Sequence, residues 1–434
     1  MPIVPQTFSL EANATALLNA IRGENGVDYQ SRVPEATQEN MREVGTAIMN
    51  FDPQNNPFLR ALVNRIGLTL ITSRSYQNPL RQFKKGIMEL GETIQEVFVN
   101  AARSLPFNPE QAYKNIFKRH IPDVSAAYHT MNFQVKYPTT ISENQLRQAF
   151  VTSQGLFDLV SAIVESLYTG SEIDEFACMK ELIAKAATEG RMFPVMIPDY
   201  TDVNNLKAII TAIKGTSNKV EFPNTIYNET GVISFSKKDR QILIMDAMFD
   251  ASVDVNVLAS AFNMDKAQFM GQRVVVDNFN ELVGVPCVLV DRDFFMVVDN
   301  LIKMADAWNG DGLYWNYFYH TWKTFASSPF VTAVLFTTTP SKVTGITLYP
   351  AGQQSRAPGD LVEFTATVET TGYAPKGVLW TINSALPTTS KVDWTGRLLI
   401  STTEKNSEIT VVATSVFDNS ITASTTIEIV PAGA

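Results

Sequence analysis

A helical pattern of unusual length, over residues 152–190, most constrains what this chain can fold into. Apolar residues recur there at the three- and four-residue spacing of one buried helix face. They are Leu156, Leu159, Val160, Ile163, Val164, Leu167, Ile173, Phe176, Met179, Leu182 and Ile183. The pattern predicts one long helix, or two stacked end to end with a bend at Gly170-Ser171. Unbroken, it spans on the order of 55 Å at about 1.5 Å per residue. We therefore expect a strut in a protein that spans distance.

Composition limits the class of partner. A chain of 434 residues predicts two or three domains. The net charge of -9 argues against strong general binding to nucleic acid, which requires a basic surface. Cys178 and Cys287 lie in apolar contexts typical of core thiols. Residues 1–10 lack a signal-peptide pattern, and no window approaches 18 uninterrupted apolar residues. We expect a chain that folds in a cytoplasm and has no membrane partner.

Two segments of opposite charge predict where subunits meet. Residues 74–119 hold eight Lys or Arg and four Glu, a local net charge of +4, whereas residues 152–189 carry a net charge of -5. Opposite signs favour contact, either within one chain or between copies, and two separately solvated faces are the alternative. The candidates for subunit contact are Arg81, Lys84, Lys85, Glu172, Asp174 and Glu175.

The rest of the chain divides into an arm, a mixed α/β unit and a late all-β unit. Residues 1–60 predict short helices in an arm that needs a surface to lie against. Residues 200–300 alternate helix and strand patterns, and the aromatic run 312–322 favours a strand in a sheet packed on both faces. Beyond residue 341, short alternating strands predict a β-sandwich with Trp380 as its core aromatic residue.

No motif for catalysis, a cofactor or a metal emerges. His120, His129 and His320 have no partner at metal-ligand spacing. Residues 212–216 lack the glycines of a phosphate loop, and residues 309–312 do not continue into a calcium loop. The chain also lacks the Gly-x-Ser-x-Gly pattern of a serine nucleophile. We expect a protein that is not an enzyme and needs neither cofactor nor metal.

The order of these parts resembles the coat proteins of tailed phages that adopt the Hong Kong 97 fold. Five motifs are similar to those of the major capsid proteins of phi29-like phages. They are Asn64-Arg65-Ile66-Gly67-Leu68, Asn78-Pro79-Leu80 with Phe83-Lys84-Lys85-Gly86, Ala261-Phe262-Asn263-Met264, Phe295-Met296-Val297-Val298-Asp299-Asn300-Leu301 and Gly312-Leu313-Tyr314-Trp315-Asn316-Tyr317. That family also carries a C-terminal bacterial immunoglobulin-like (group 2) domain, and the resemblance covers nearly the whole chain.

The resemblance implies an α+β fold of the Hong Kong 97 capsid type followed by an all-β immunoglobulin-like sandwich. It implies a capsid domain over residues 1–340 and the sandwich over residues 341–434. The capsid domain would contain an N-arm at 1–60, an E-loop at 71–137 that overlaps a neighbouring subunit, a spine helix at 152–190 and mainly an A-domain at 200–310, flanked by P-domain sheet.

The resemblance also implies a function. A chain of this family forms pentamers and hexamers of an icosahedral or prolate phage head around double-stranded DNA, and it resides in the virion after assembly in the host cytoplasm. Its partners would be copies of itself, a scaffolding protein, the portal and DNA bound without sequence specificity. We expect the lysine-rich flap (residues 74–119) of one copy to lie on the acidic helix (residues 152–189) of the next copy. The alternatives are a cell-surface adhesin or binding protein with an immunoglobulin-like module, and a carbohydrate-active enzyme with a binding module.

Overall fold

The computed structural model describes residues 10–50, 76–88, 93–102, 104, 124–150, 153–254, 272–279 and 282–430. Within these ranges the helices are Leu10–Glu24 (α1), Val27–Arg32 (α2), Met41–Met49 (α3), Glu143–Ala149 (α4), Ser153–Thr188 (α5), Leu206–Lys219 (α6) and Ala247–Val253 (α7). The motifs at 64–68 and 261–264 and much of the predicted E-loop lie outside the described residues. In the described part, no helix combines the length and hydropathy that a membrane crossing requires.

The predicted long helix is the 36-residue α5. Of the two alternatives, the structure has one continuous helix, because Ser171 is buried inside it rather than capping a second segment. The helix ends where the sequence predicts. Gly190 has a φ of +76°, and the amide of Arg191 donates to the carbonyl of Ala186 at 2.8 Å. Glycine adopts this left-handed conformation without steric strain, so it terminates the helix.

Before residue 340, the described part of the chain contains eleven strands. They are Lys84–Ile87 (β1), Thr93–Val99 (β2), Val124–Thr130 (β3), Phe133–Ser142 (β4), Phe193–Met196 (β5), Gln241–Asp246 (β6), Gln272–Val276 (β7), Cys287–Asp291 (β8), Phe295–Asn309 (β9), Tyr314–Ser327 (β10) and Ala333–Thr337 (β11). One sheet has the order β1-β9-β10-β4, a second has the order β5-β11-β8-β6-β7, and β2 and β3 form a separate antiparallel hairpin.

The aromatic run lies in strand β10, as predicted, but both faces of this strand are fully buried only over residues 323–327. Burial alternates along β10, so that Trp315, Tyr317 and Tyr319 are buried while Asn316 and Phe318 stay half-buried. The buried set packs on α5, where Tyr168 stacks on Tyr319 with ring centroids 5.3 Å apart.

Helix α5 contributes to two separate cores. Its first half, with Ile163 and Leu167, packs with the arm helices and with the sheet residues of β4 and β10. Its second half, with Met179 and Ile183, packs on one face of the five-stranded sheet. The other face of that sheet packs against α6 and α7. The arm therefore lies against the long helix, which supplies the surface that short helices need.

The last part of the described chain is all β. Its strands are Lys342–Tyr349 (β12), Gln354–Arg356 (β13), Leu361–Glu363 (β14), Thr365–Thr371 (β15), Val378–Ser384 (β16), Lys391–Val392 (β17), Arg397–Leu399 (β18), Glu408–Ser415 (β19) and Thr422–Ile429 (β20). The orders are β13-β20-β19-β16, β14-β18-β17 and β12-β15. Trp380 lies in the apolar core that these sheets share, as predicted.

This C-terminal unit packs closely on the end of α5. A Cβ on Gly190 would lie 2.6 Å from the carbonyl oxygen of Ala374, and the hydroxyl of Tyr373 donates to the carbonyl of Val283 at 3.0 Å. Phe193 of β5 also meets Phe417, with ring centroids 5.4 Å apart. The two units therefore share an apolar boundary.

Candidate subunit-contact site

Four charged side chains form a buried cluster between α5 and the first sheet. Nζ of Lys84 lies 2.9 Å from Oε2 of Glu175 and 3.2 Å from Oδ2 of Asp299. Nζ of Lys323 also contacts Glu175, and it lies 3.8 Å from Oδ1 of Asp299. The Glu175 side chain is fully buried, and that of Lys323 is 4% exposed. Two cations thus neutralise two carboxylates away from water.

The strand register brings these residues together. Lys84 begins β1 and pairs with Val297 of β9 in a parallel ladder, two residues before Asp299. Lys323 of β10 lies directly opposite Asp299 in the antiparallel ladder, next to a bulge. Glu175 is on the face of α5 that covers this sheet. The cluster therefore ties the base of the flap to two central strands and to the long helix.

The ion pairs shift the pKa values of Glu175 and Lys84 in opposite directions. Burial raises the pKa of Glu175, but the ammonium groups of Lys323 and Lys84 outweigh burial and leave that pKa below its ordinary value. Burial lowers the pKa of Lys84, whereas Glu175 and Asp299 raise it, and the net pKa lies above its ordinary value. Glu175 and Lys84 are therefore each held in the charged form by their partners.

These shifts give the folding stability a defined dependence on pH. The contribution of Glu175 is present above its ordinary pKa of 4.5 and is lost as the pH falls through the lower folded value. The contribution of Lys84 is present below its ordinary pKa of 10.5 and is lost as the pH rises through the higher folded value. In urea denaturation, we expect the midpoints of the wild type and of Glu175→Gln to differ most between these limits. They should converge in acid, where the protonated carboxyl resembles the amide, and a gap that persists unchanged into strong acid contradicts this account.

Neighbouring polar groups support the cluster. The side-chain amide of Asn78 donates to Oε1 of Glu175 at 3.2 Å, and its backbone amide donates to Oε2 of Glu172 at 3.3 Å. Oδ1 of Asn78 accepts from the amide of Leu80 at 2.9 Å. Asn78 therefore anchors the start of the flap to two successive turns of α5.

The remaining three candidates lie at the surface. Asp174 is exposed and accepts a hydrogen bond from the hydroxyl of Tyr137 at 2.8 Å. Lys85 contacts the carboxylate of Asp293 in the same chain. Arg81 is exposed, and its side chain makes no ion pair or hydrogen bond with the residues that the structure describes.

The structure corrects the expected position of the flap. The contact of its lysine with the acidic helix, Lys84 with Glu175, forms within one chain, as does that of Lys85 with Asp293. Lys84, Glu172 and Glu175 therefore already have partners within the subunit. The expectation that these lysines lie on the helix of the next copy does not fit this arrangement. A role in subunit contact stays a prediction, and Arg81 is the candidate with a free side chain among the described residues.

Lys323 and Asp299 were not among the predicted site residues. Lys323 has the same parity along β10 as the buried Trp315, Tyr317 and Tyr319. Because successive side chains of a strand point to opposite faces, this parity predicts an inward lysine that needs a carboxylate. That signal was present in the sequence. The identity of the partner was not, because it depends on the register between β9 and β10.

The hairpin of β2 and β3 has one packed face and one exposed face. On the packed face, Phe98 stacks on the buried Phe330 with ring centroids 5.5 Å apart. Trp394 of the C-terminal unit meets the same Phe330 edge-on, also at 5.5 Å. The exposed face carries an apolar stripe, which consists of Val97, Val99, Val124 and Tyr128. Phe330 thus contacts both the hairpin and the C-terminal unit.

The arrangement offers little reactive chemistry. No group of three His, Cys, Asp or Glu side chains in the described ranges could hold a metal ion. Burial raises the pKa of both Cys178 and Cys287, which disfavours a thiolate nucleophile. The side chains of this site hold segments of the chain together.

The chain is similar in sequence to known phage capsid proteins. The model of the Phi29-like phage major capsid protein family matches residues 18–337. The major capsid protein of Bacillus phage PZA is 35% identical over 401 residues, which cover 92% of this chain and 89% of that protein. The major capsid protein of Streptococcus phage Cp-1 is 29% identical over 325 residues, which cover 70% of this chain and 88% of that protein.

A solved structure agrees at the level of the fold. The capsid structure of Staphylococcus phage Andhra matches with a TM-score of 0.51 at 13% identity, covering 62% of this chain and 86% of that chain. The α+β fold of this chain is therefore similar to one found in a phage capsid. Together with the match over residues 18–337 and the 35% identity to a curated relative, it places the chain in the family of phi29-like phage major capsid proteins.

Proposed function

We propose that this chain is a major capsid protein that forms pentamers and hexamers of an icosahedral or prolate head around double-stranded DNA. The family match over residues 18–337 is the observation that carries the proposal. The protein then resides in the virion capsid. The adhesin and carbohydrate-active alternatives have no comparable support, since the curated relatives are major capsid proteins over most of this chain.

The parts of the proposed capsid domain follow the Hong Kong 97 plan. The continuous α5 supports a spine helix at 152–190, and its packing with α1 to α3 supports an N-arm at 1–60. The five-stranded sheet with α6 and α7 supports an A-domain within 200–310. The hairpin of β2 and β3 supports an E-loop within 71–137.

The apolar stripe on the hairpin is the proposed contact with a neighbouring subunit. Its four side chains are among the exposed large apolar residues of the chain. They face solvent from a short two-stranded ribbon. Such ribbons are marginal in isolation, and exposed apolar stripes favour association. The stripe therefore suits a hairpin that is covered once copies assemble.

The other proposed partners are a scaffolding protein, the portal and the packaged DNA. The net charge of -9 supports contact with DNA that is neither tight nor sequence-specific, because strong binding requires many basic side chains. A wall of this kind lets DNA move in and out during packaging and release. No described side-chain cluster is needed for base recognition in this proposal.

We assign the C-terminal unit to the bacterial immunoglobulin-like (group 2) class, over residues 341–434. Its mostly antiparallel sheets around Trp380, with β13 parallel to β20, support a sandwich of this kind. Its close packing at Gly190 and Phe330 supports a role within the shell, as a bridge between neighbouring capsomers, over a role in host adhesion.

Electron microscopy of the purified chain with its scaffolding protein tests the proposal. We expect the wild type to form closed shells. The double variant Val97→Asp, Tyr128→Asp should fold but fail to assemble, because two carboxylates on the stripe oppose its burial. The matched control Leu386→Asp changes an exposed apolar residue of the C-terminal unit and should still give shells. A wild type that stays monomeric at high concentration contradicts the function, and a stripe variant that assembles normally removes the hairpin from it.

A further inference from the structure

Two exposed apolar patches of opposite charge lie at the two ends of helix α6. The first, here called the basic ridge, follows the C-terminus of the helix. It consists of Phe222, Ile226, Ile233 and Phe235 with Lys219 and Lys237. The second, here called the acidic knob, precedes the N-terminus of the helix and includes the start of α7. It consists of Asp199, Asp202, Val203 and Met248.

The basic ridge is held in a fixed shape by its backbone. Asn224 and Ser234 exchange two backbone hydrogen bonds of 3.0 and 2.9 Å, and the amide of Ser236 donates to the carbonyl of Val220 at 2.7 Å. Burial alternates along residues 232–236, so that Ser234 and Ser236 point inward. Phe235 is therefore directed into solvent and is 54% exposed. The ridge is a built surface rather than a loose loop.

The acidic knob is also held in place. The ring of Tyr200 packs edge-on against Phe249, with centroids 6.0 Å apart, which fixes the loop beside α7. Asp202 accepts a hydrogen bond from the amide of Asn204 at 3.0 Å. Val203 and Met248 remain 56% and 76% exposed. Apolar side chains thus stand beside carboxylates on a rigid corner.

The charges alone have a simpler cause. Carboxylates before a helix and a lysine at its end both interact favourably with the helix dipole. Lys207 offsets part of the negative charge of the knob, and Glu221 and Asp239 offset part of the positive charge of the ridge. The dipole does not explain why large apolar side chains are exposed beside the charges at both ends. Exposed apolar groups within a charged rim are typical of surfaces that meet another protein.

We propose that the basic ridge of one copy docks on the acidic knob of the next copy. The inference rests on the proposed function and names the surfaces by which its rings are built. The two patches differ and are separated by the 14 residues of α6, about 21 Å at 1.5 Å per residue. A contact between different patches is head-to-tail, and it closes into a ring when the rotation between copies permits. Complementary charge fixes the orientation.

Cross-linking tests the contact directly. Chains with Val203→Cys and chains with Phe235→Cys are mixed, assembled with the scaffolding protein and treated with a short bismaleimide. We expect cross-linked dimers from the mixture, and a ladder ending at five or six subunits when both substitutions are in one chain. Phe235→Cys mixed with Leu386→Cys is the matched control, and the wild type, with its half-buried Cys178, gives the background.

The outcomes separate this inference from the proposed function. Particles that form without dimers above background overturn the docking of ridge on knob and leave the function standing. If neither particles nor dimers form, both fail. A charge exchange gives a second readout: particle yield should be lost in Lys237→Asp and in Asp199→Lys, and recovered when both are combined. Equal loss in the combined variant also overturns the inference.

Discussion

Glu175→Gln is expected to destabilise the folded chain by about 3–5 kcal/mol, because it leaves two buried ammonium groups with one carboxylate between them. The side chain of Lys323 is only 4% exposed, so water cannot fully replace the lost partner. Lys84 keeps Asp299 at 3.2 Å. The loss should appear as a lower urea midpoint of the isolated chain and as a lower yield of particles.

The neighbouring residue provides the control for this substitution. Asp174→Asn removes a carboxylate one position away that is exposed, so it should change the stability by less than about 1 kcal/mol. Removing one cation as well, in Glu175→Gln with Lys323→Met, should recover part of the loss, since a single pair of opposite charges then remains. If Glu175→Gln and Asp174→Asn have the same small effect, the cluster does not hold the flap to the helix.

Phe330→Ala is expected to cost about 3–5 kcal/mol, the usual range for removing a fully buried aromatic side chain. It removes the only ring that both Phe98 and Trp394 contact among the described aromatic pairs. The hairpin and the C-terminal unit should both loosen. Hydrogen exchange should become faster in β2 and β3, as well as around Trp394, while the exchange of α5 stays slow.

The outer face of the same hairpin supplies the matched comparison. Tyr128 is 65% exposed, so Tyr128→Ala should leave the stability of the single chain almost unchanged. Its effect should appear only on assembly. Faster exchange confined to residues near 330, with no change in the hairpin, contradicts the proposed link between the two units.

The elements of this fold could largely be predicted from local patterns. The spacing of apolar residues locates α5, and Gly190 marks its end, because both depend on neighbours within a few residues. The same holds for strand β10 and for the core position of Trp380. The family resemblance rested on motif segments of three to seven residues and on the order of the parts.

The contacts of the candidate site could not be predicted in the same way. Charge counts indicated that the flap and the helix attract each other, but not whether Lys84 meets Glu175 of its own chain or of another. That depends on the parallel pairing of β1 with β9, two segments separated by more than 200 residues. Likewise, the exposed residues of the basic ridge and the acidic knob occur in ordinary loop sequences. Their exposure is a property of the folded surface.

The sharing of α5 between two cores has a mechanical consequence. A rod that is clamped over both halves cannot serve as a hinge, so a push on the arm is transmitted along it to the sheet and to the C-terminal unit at its far end. Outward force from the contents of a shell would therefore be spread over the whole subunit. We therefore expect a change in shell curvature to alter the contacts between copies more than the interior of each subunit.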